Sequence, residues 1–398
     1  MDRNLEQGVT LAGARVAVSA SDSLRADLTV QRGRIRFSAG ARRGHNALDL
    51  RGFLILPGLI NAHDHLEFNL FPRLGHKHYE NATAWAEDIY CPEQAPIRQH
   101  LQVPKPLRLL WGGIKNLLAG VTSVSHHNPY QAAVFERQFP VRVIKRFGWA
   151  HSLRFCSNVE ERFRQTPPDA PFIIHAGEGR DAQARREIYQ LDEAAVLASS
   201  TVIVHGVALE PEDLGLIKTR GASVVWCPSS NYFTLGRTLS PKVFEAGIPV
   251  ALGTDSALTA DGDFLDELAV AHRHAGLHQI YDMVTDCAAR ILCLKSGEGF
   301  IRDGAVADLL IVSDTGQSPA EALASIRPEL VIVNGKLKLL SLEMADRLQL
   351  WNLAGFEPIG VEGRGWSFID CPVSAAKEHA TRYLGSDFRL AGKKVVAC

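Results

Sequence analysis

From residue 54 onwards, short and almost wholly apolar runs alternate with longer stretches in which apolar residues recur among Glu, Arg and Ala. This is the pattern of buried parallel strands separated by amphipathic helices. The runs at 54–60, 120–124, 141–144, 171–174, 201–204, 222–226 and 249–252 read as strands, with 148–153 a further candidate beside the third. Between them, 181–199 and 211–219 read as helices. Seven or eight parallel strands with crossover helices predict an α/β fold, a (β/α)8 TIM barrel with room for distortion where one strand is unassigned. Shorter β-like pieces precede it at 14–18, 27–30, 34–37 and 47–55, with a hairpin centred on Gly33, and 303–312 and 330–336 return to the same character. The two chain ends are therefore expected to build one small β-sandwich domain, residues 1–56 with 300–398, beside a barrel at 57–299. The tail from about residue 344 carries no motif that can be interpreted.

Composition narrows the function classes. With 43 Lys+Arg against 44 Asp+Glu in 398 residues, no net field attracts nucleic acid or an anionic membrane. No apolar run approaches the ~18–20 residues that span a bilayer, and Met1-Asp2-Arg3-Asn4 does not open a secretory signal. The seven cysteines are scattered without a Cys-x-x-Cys spacing, which argues against a disulfide framework and a thiolate zinc cluster. A cytoplasmic protein acting on a small molecule is the expectation.

The histidines carry the chemistry. Three His-x-His pairs occur. His76-Lys77-His78 lies in a polar segment, and His272-Arg273-His274 lies in a helical one, where i and i+2 do not share a face. Only His63 and His65 follow an apolar strand run, on which i and i+2 project to one side. Three further runs end in an ionisable residue: His175 followed by Ala176-Gly177-Glu178, His205-Gly206, and Gly253-Thr254-Asp255. Any one of these alone is a strand-end histidine or a helix-capping aspartate. Four strand ends all supplying imidazole or carboxylate point to a metal site at the mouth of a barrel.

Pro57-Gly58-Leu59-Ile60-Asn61-Ala62-His63-Asp64-His65, His175-Ala176-Gly177-Glu178, His205-Gly206, Cys227-Pro228-Ser229-Ser230-Asn231 and Gly253-Thr254-Asp255 together resemble the amidohydrolase superfamily. The likeness is to its mononuclear aminohydrolase branch, which includes guanine, cytosine and adenosine-type deaminases and chlorotriazine hydrolases, and it runs in order from about residue 8 to 333. The resemblance implies one divalent ion, Zn²⁺ or alternatively Fe²⁺, held by His63, His65, His175 and Asp255, which makes hydroxide available near neutral pH. It implies that Asp255 takes the water's proton, that Glu178 protonates a ring nitrogen and relays a proton to the leaving group, and that His205 orients the attacking oxygen or stabilises the oxyanion. A homodimer is usual among such relatives.

Several residues stay open. Lys145 stands where binuclear amidohydrolases carry a carboxylated lysine, or else is a lysine reaching solvent past its strand. His126 and His127 follow the second strand and either touch substrate or form a turn with Asn128-Pro129. Arg180 pairs either with an anionic substrate group or with a surface carboxylate. Asn231 and Trp226 are candidate pocket residues, and Glu67 and Arg73 lie in the long loop after the first strand. The leading function is a metal-dependent aminohydrolase that deaminates an amino-substituted N-heterocycle. The alternatives are hydrolytic opening of a cyclic amide or imidazolone-type ring, a binuclear hydrolase using Lys145, and a metal-binding partner module without catalysis.

Overall fold

The apolar run at 54–60 contributes to two sheets rather than to one strand. Its hydrogen-bond partner changes at Gly58, whose N–H goes to Asp308 O at 2.9 Å, while that of Leu59 goes to Gly120 O at 3.2 Å. Phe53–Pro57 therefore pairs antiparallel with Leu309–Ser313 outside the barrel, and Leu59–Asp64 opens the barrel as β1. These relations come from a computed structural model that describes residues 8–38, 47–75, 78–350 and 353–397. His76 and Lys77 of the second His-x-His pair lie outside the described residues.

The barrel continues with β2 (Val121–His126), β3 (Arg142–Val143), β4 (Gly148–Ser152), β5 (Phe172–Ala176), β6 (Thr201–His205), β7 (Ser223–Trp226) and β8 (Val250–Leu252). They form two parallel sheets, β3-β2-β1 and β4-β5-β6-β7-β8. Residues 144–147 alone join β3 to β4, far short of the roughly dozen residues that a parallel crossover needs. The chain instead runs from β3 into β4 and changes partner from β2 to β5. Both candidate strands in this region exist, but they share one position in the ring. The expected (β/α)8 arrangement is corrected accordingly: among the described residues the fold is TIM-barrel-like and not closed by a ladder between β3 and β4.

Side chains alternate in and out of the ring. Ile60, Ala62, Ile173, Val202, Val204, Val225 and Ala251 meet Ala288, Ile291 and Leu292 in one inner cluster. Leu59, Val121, Phe172, Ile174, Ile203, Val224 and Leu252 belong to an outer cluster with the crossover helices. Those used below are α1 (Ala82–Ile89), α2 (Lys105–Leu118), α3 (Ala182–Glu193) and α4 (Pro228–Leu235). Asp181 starts α3 by accepting from Ala184 N, so the helix read at 181–199 begins as expected and stops earlier.

Both chain ends contribute strands beside the barrel. Arg34–Ser38, Asp27–Gln31, Val9–Ala12 and Ala47–Asp49 make a four-stranded sheet. The ten-stranded sheet includes Phe53–Pro57, Leu309–Ser313, Leu330–Val333 and Lys336–Ser341. Leu11, Leu28, Ile35, Ile55, Ile311 and Ile332 from the two sheets share one apolar cluster. The tail without a motif extends the larger sheet through Glu357–Val361, Gly365–Ile369 and Lys393–Ala397, and its helix Val373–Leu384 packs on α2. No helix among the described residues is long and apolar enough to cross a membrane.

Helix α2 passes so near the segment after β1 that a Cβ on Gly112 would lie 2.3 Å from Leu66 O. In an open helix Gly→Ala gains about 1 kcal/mol. Here the added carbon meets backbone that cannot rotate away, and overpacking of about 1–3 kcal/mol wins. Gly112→Ala is expected to lower the thermal midpoint by several degrees in a calorimetric scan, and an unchanged or higher midpoint would show that α2 yields.

Candidate active site

The strand ends bring His63, His65, His175, His205, Glu178 and Asp255 to one mouth of the ring. A ring nitrogen from each of His63, His175 and His205 lies within 4.8 Å of the others, and His63, His65 and an Asp255 oxygen form a second such group. Two of these residues hold backbone angles that L-residues rarely adopt: φ is +76° at His205 and +57° at Asp255. On β6, Val202 and Val204 already occupy the inner positions, so regular alternation would turn His205 outward. The left-handed turn redirects it to the mouth, and strain of this kind gathers at functional sites.

Hydrogen bonds fix which nitrogen each ring presents. His175 Nδ1 donates to His151 O at 2.8 Å, and His205 Nδ1 donates to Asn231 Oδ1 at 2.7 Å. Both rings therefore present Nε2. Asp255 is oriented by two hydroxyls, Ser230 Oγ at 2.6 Å and Thr259 Oγ1 at 2.9 Å, both donating to Oδ2. Its Oδ1 lies 3.8 Å from His63 Nε2 and 3.7 Å from His65 Nε2.

This donor set fits a divalent cation. Burial above all, then the neighbouring imidazoles, hold His63 and His175 well below the ordinary histidine range, so both rings are neutral. Their Nε2 atoms are 3.2 Å apart, close to the roughly 3.3 Å that separates ligands around a tetrahedral ion with bonds of about 2.0–2.1 Å. His63 Nδ1 is buried without a hydrogen-bond partner among the described residues. Three imidazoles and one carboxylate are a set that suits zinc or ferrous ion.

Glu178 borders this cluster. Its Oε1 is 3.4 Å from His205 Nε2, and its side chain is 15% exposed. Burial raises its carboxyl to about 7, with the charges of Asp255 and Glu187 adding to the shift and His205 opposing it. It is therefore a group that can give and take a proton near neutral pH. A cavity of about 370 Å³ opens over these residues, and its remaining wall is His151 and Ser256 with the apolar Phe68, Ala82, Trp85, Ala86, Phe155 and Leu258.

The other expected residues sit elsewhere. His126 is buried with Nε2 3.5 Å from Glu67 Oε2, and His127 Nε2 donates to Ala150 O at 3.1 Å. Neither is among the residues that line the cavity. Arg180 binds Glu80 Oε1 at 3.0 Å and Tyr79 O at 3.2 Å, which ties down the loop before α1. Asn231 holds His205, and Trp226 is buried with its indole donating to Thr238 Oγ1 at 2.6 Å. Lys145 is exposed and paired with Glu136, so it offers no bridge at the cluster, which corrects the binuclear alternative. Arg73 pairs with Asp261 at 3.2 Å.

Sequence reasoning missed several neighbours. His151 lies on β4, the candidate strand left unassigned, at a register shift that no alternation in the sequence marks. Phe68, Trp85 and Phe155 come from loops and α1, where no period marks them. Glu187 on α3 accepts from Gly177 N at 2.7 Å and shares a small void with Glu178. Nothing in its helical context distinguishes it.

Comparison with known proteins bears on the fold and the family. The amidohydrolase family model matches residues 167–338, which contain the His175, Glu178, His205 and Asp255 segments. The chain is 27% identical over 334 residues to the 5-methylthioadenosine/S-adenosylhomocysteine deaminase of Syntrophobacter fumaroxidans, covering 68% of this chain and 74% of the relative. It is 24% identical over 327 residues to the 5'-deoxyadenosine deaminase of Methanothrix thermoacetophila, covering 67% and 75%. Among solved structures, an adenosine deaminase from Xanthomonas campestris with bound zinc superposes with a TM-score of 0.73 at 19% identity, over 94% of this chain and 97% of that one. An atrazine chlorohydrolase from Arthrobacter aurescens TC1 complexed with zinc gives 0.65 at 18% identity, over 83% and 94%. The solved structures bear out the barrel-like fold, and the matches together bear out the resemblance carried by the ordered motifs.

Burial also raises Glu187 to about 7 from 4.5. The folded protein thus keeps a proton that the unfolded chain releases, and between those two values stability falls as pH rises. Glu187→Gln removes that cost and keeps an acceptor for Gly177. It is expected to raise the melting midpoint by roughly 2–4 °C at pH 8 and by much less at pH 4.5. Equal changes at both pH values would contradict the buried, protonated carboxyl.

Proposed function

We propose that the chain, which matches the amidohydrolase family model over residues 167–338, removes the amino group of an amino-substituted nitrogen heterocycle as ammonia, with one divalent ion held by His63, His65, His175 and Asp255. The observation that carries this reading is Glu178: a carboxyl raised to about 7 at the rim of the histidine cluster, its Oε1 3.4 Å from His205 Nε2. The ion supplies Lewis-acid activation of water. The chain supplies the rest. Asp255, with Oδ2 fixed by Ser230 and Thr259, keeps Oδ1 available to take a proton from the attacking water. Protonated Glu178 gives its proton to the ring nitrogen, so that the carbon bearing the amino group becomes electrophilic. His205, its Nδ1 committed as donor to Asn231, turns Nε2 as an acceptor toward the attacking water and orients it. A C–O bond forms, the proton taken by Asp255 passes to the amino nitrogen, the C–N bond breaks with ammonia as the leaving group, and the proton of the new hydroxyl returns to Glu178 as the carbonyl forms.

The cavity wall narrows the substrate. Apart from the catalytic and ligand residues, His151 and Ser256 it is apolar and aromatic, and no lysine or arginine is among the described residues that line it. That suits a flat heterocycle with an apolar substituent, such as 5'-methylthioadenosine or 5'-deoxyadenosine, better than S-adenosylhomocysteine with its charged amino-acid end. The reading also takes the ion as Zn²⁺ in preference to Fe²⁺, residues 1–56 with 300–398 as a flanking domain, a homodimer as in the family, and a cytoplasmic setting.

Two measurements test it. Incubated with zinc and each of those three nucleosides, the protein is expected to release ammonia fastest from the two with apolar 5' groups. Opening of a cyclic amide with no ammonia from any aminated heterocycle would sink the proposal. Glu178→Gln is expected to lower kcat by about 10²–10⁴-fold while zinc per chain, measured by elemental mass spectrometry, stays unchanged. Wild-type turnover in that variant would remove Glu178 from the reaction.

A further inference from the structure

Asp64 stands between His63 and His65 but turns away from the mouth, onto helix α2. It is wholly buried, and its Oδ2 accepts from Lys115 Nζ at 2.9 Å, Asn116 Nδ2 at 2.8 Å, Thr254 Oγ1 at 3.2 Å and Asn61 Nδ2 at 3.3 Å. Its Oδ1 accepts from Asn69 Nδ2 at 2.8 Å. Lys115, 3% exposed, also donates to Asn69 Oδ1 at 2.8 Å and Thr254 Oγ1 at 3.3 Å, so all three of its N–H bonds have partners.

These contacts lie at the seam of the ring. Strands β1 and β8 share no ladder; one bridge pairs Asp64 with Asp255. Around it Thr254 N and Asp255 N donate to His63 O at 2.9 and 3.1 Å, and His65 N donates to Asp255 O at 3.2 Å. A Cβ on Gly253 would come within 2.7 Å of His63 Cβ, so the two strands approach as nearly as glycine allows. The site needs His63 and His65 from one side of this seam and Asp255 from the other.

Stability gives no reason for a charge pair here, because apolar residues of equal volume serve a buried position as well or better. We propose that Lys115, acting through Asp64 and Thr254, is a positioning residue that sets the spacing of His63 and His65 against Asp255 and thereby the affinity of the site for its divalent ion. This rests on the metal site proposed above. Supporting groups of this kind are worth about 10–100-fold in metal affinity.

The test is Zn²⁺ affinity, read by competition with a chromophoric chelator, on the full chain. Lys115→Met alone strands a buried carboxylate and is expected to unfold more easily. The double variant Asp64→Asn with Lys115→Met removes both charges, and Thr254→Val removes one spoke with little change of shape. The double variant is expected to fold, to bind Zn²⁺ about 10–100-fold more weakly than wild type, and to lose kcat with little change in KM. Thr254→Val is expected to weaken Zn²⁺ binding at least threefold, and it carries the test if the double variant does not fold. Wild-type Zn²⁺ affinity in either folded variant would overturn the inference and leave the function standing. Failure of the wild-type protein itself to bind Zn²⁺ would overturn both.

Discussion

The carboxylate of Asp64, with the ammonium of Lys115 at 2.9 Å, is the interaction on which the mouth of the barrel depends. The ring is open by hydrogen-bond count between β3 and β4 and is joined between β8 and β1 by one bridge. The proposed ligand set nevertheless draws on β1, β5 and the turn after β8, so it is only as well defined as the weaker seam. Five polar side chains converge on one carboxylate there and link α2, β1 and the turn that carries Asp255. A buried ion pair so fully hydrogen-bonded is costly to break by removing one partner. That asymmetry keeps two strands in register without a ladder.

Burial then divides the labour among titratable groups. The same removal from water pushes imidazoles down and carboxyls up. At one mouth it therefore produces neutral His63 and His175, available as donors to a cation, and a Glu178 carboxyl poised near 7. Hydrogen bonds refine what burial begins. His151 O and Asn231 Oδ1 choose the tautomers of His175 and His205, and Ser230 with Thr259 leaves one Asp255 oxygen free. The left-handed turns at His205 and Asp255 are part of this, because regular strand geometry would not aim those side chains together.

Much of the site was legible because the barrel makes it so. Parallel strands buried on both faces appear as short apolar runs, and a polar residue at the end of such a run is at the mouth by construction. His63, His65, His175, His205 and Asp255 were found this way, and Glu178 by its distance from His175. What stayed hidden depends on partners far apart in sequence. Nothing marks Lys115 within an amphipathic helix, since its reason is Asp64, 51 positions earlier. The run at 54–60 looks uniform because both sheets want apolar residues, and only pairing reveals the change at Gly58. Residues 142–152 resisted assignment because one ring position is made from two strands that pair with different neighbours. The tail lacked a signature because its strands are short and only partly buried, without a clean alternation of apolar and polar positions.

The apolar wall and the raised carboxyl are two sides of one design. A cavity lined by Phe68, Trp85, Phe155 and Leu258 keeps water away from Glu178, and that desolvation is the first cause of its raised pKa. A lysine or arginine placed there to recognise an anionic substrate would hold Glu178 ionised and weaken it as an acid. Selecting a neutral, flat ligand and keeping a proton on Glu178 are therefore the same requirement met by the same side chains.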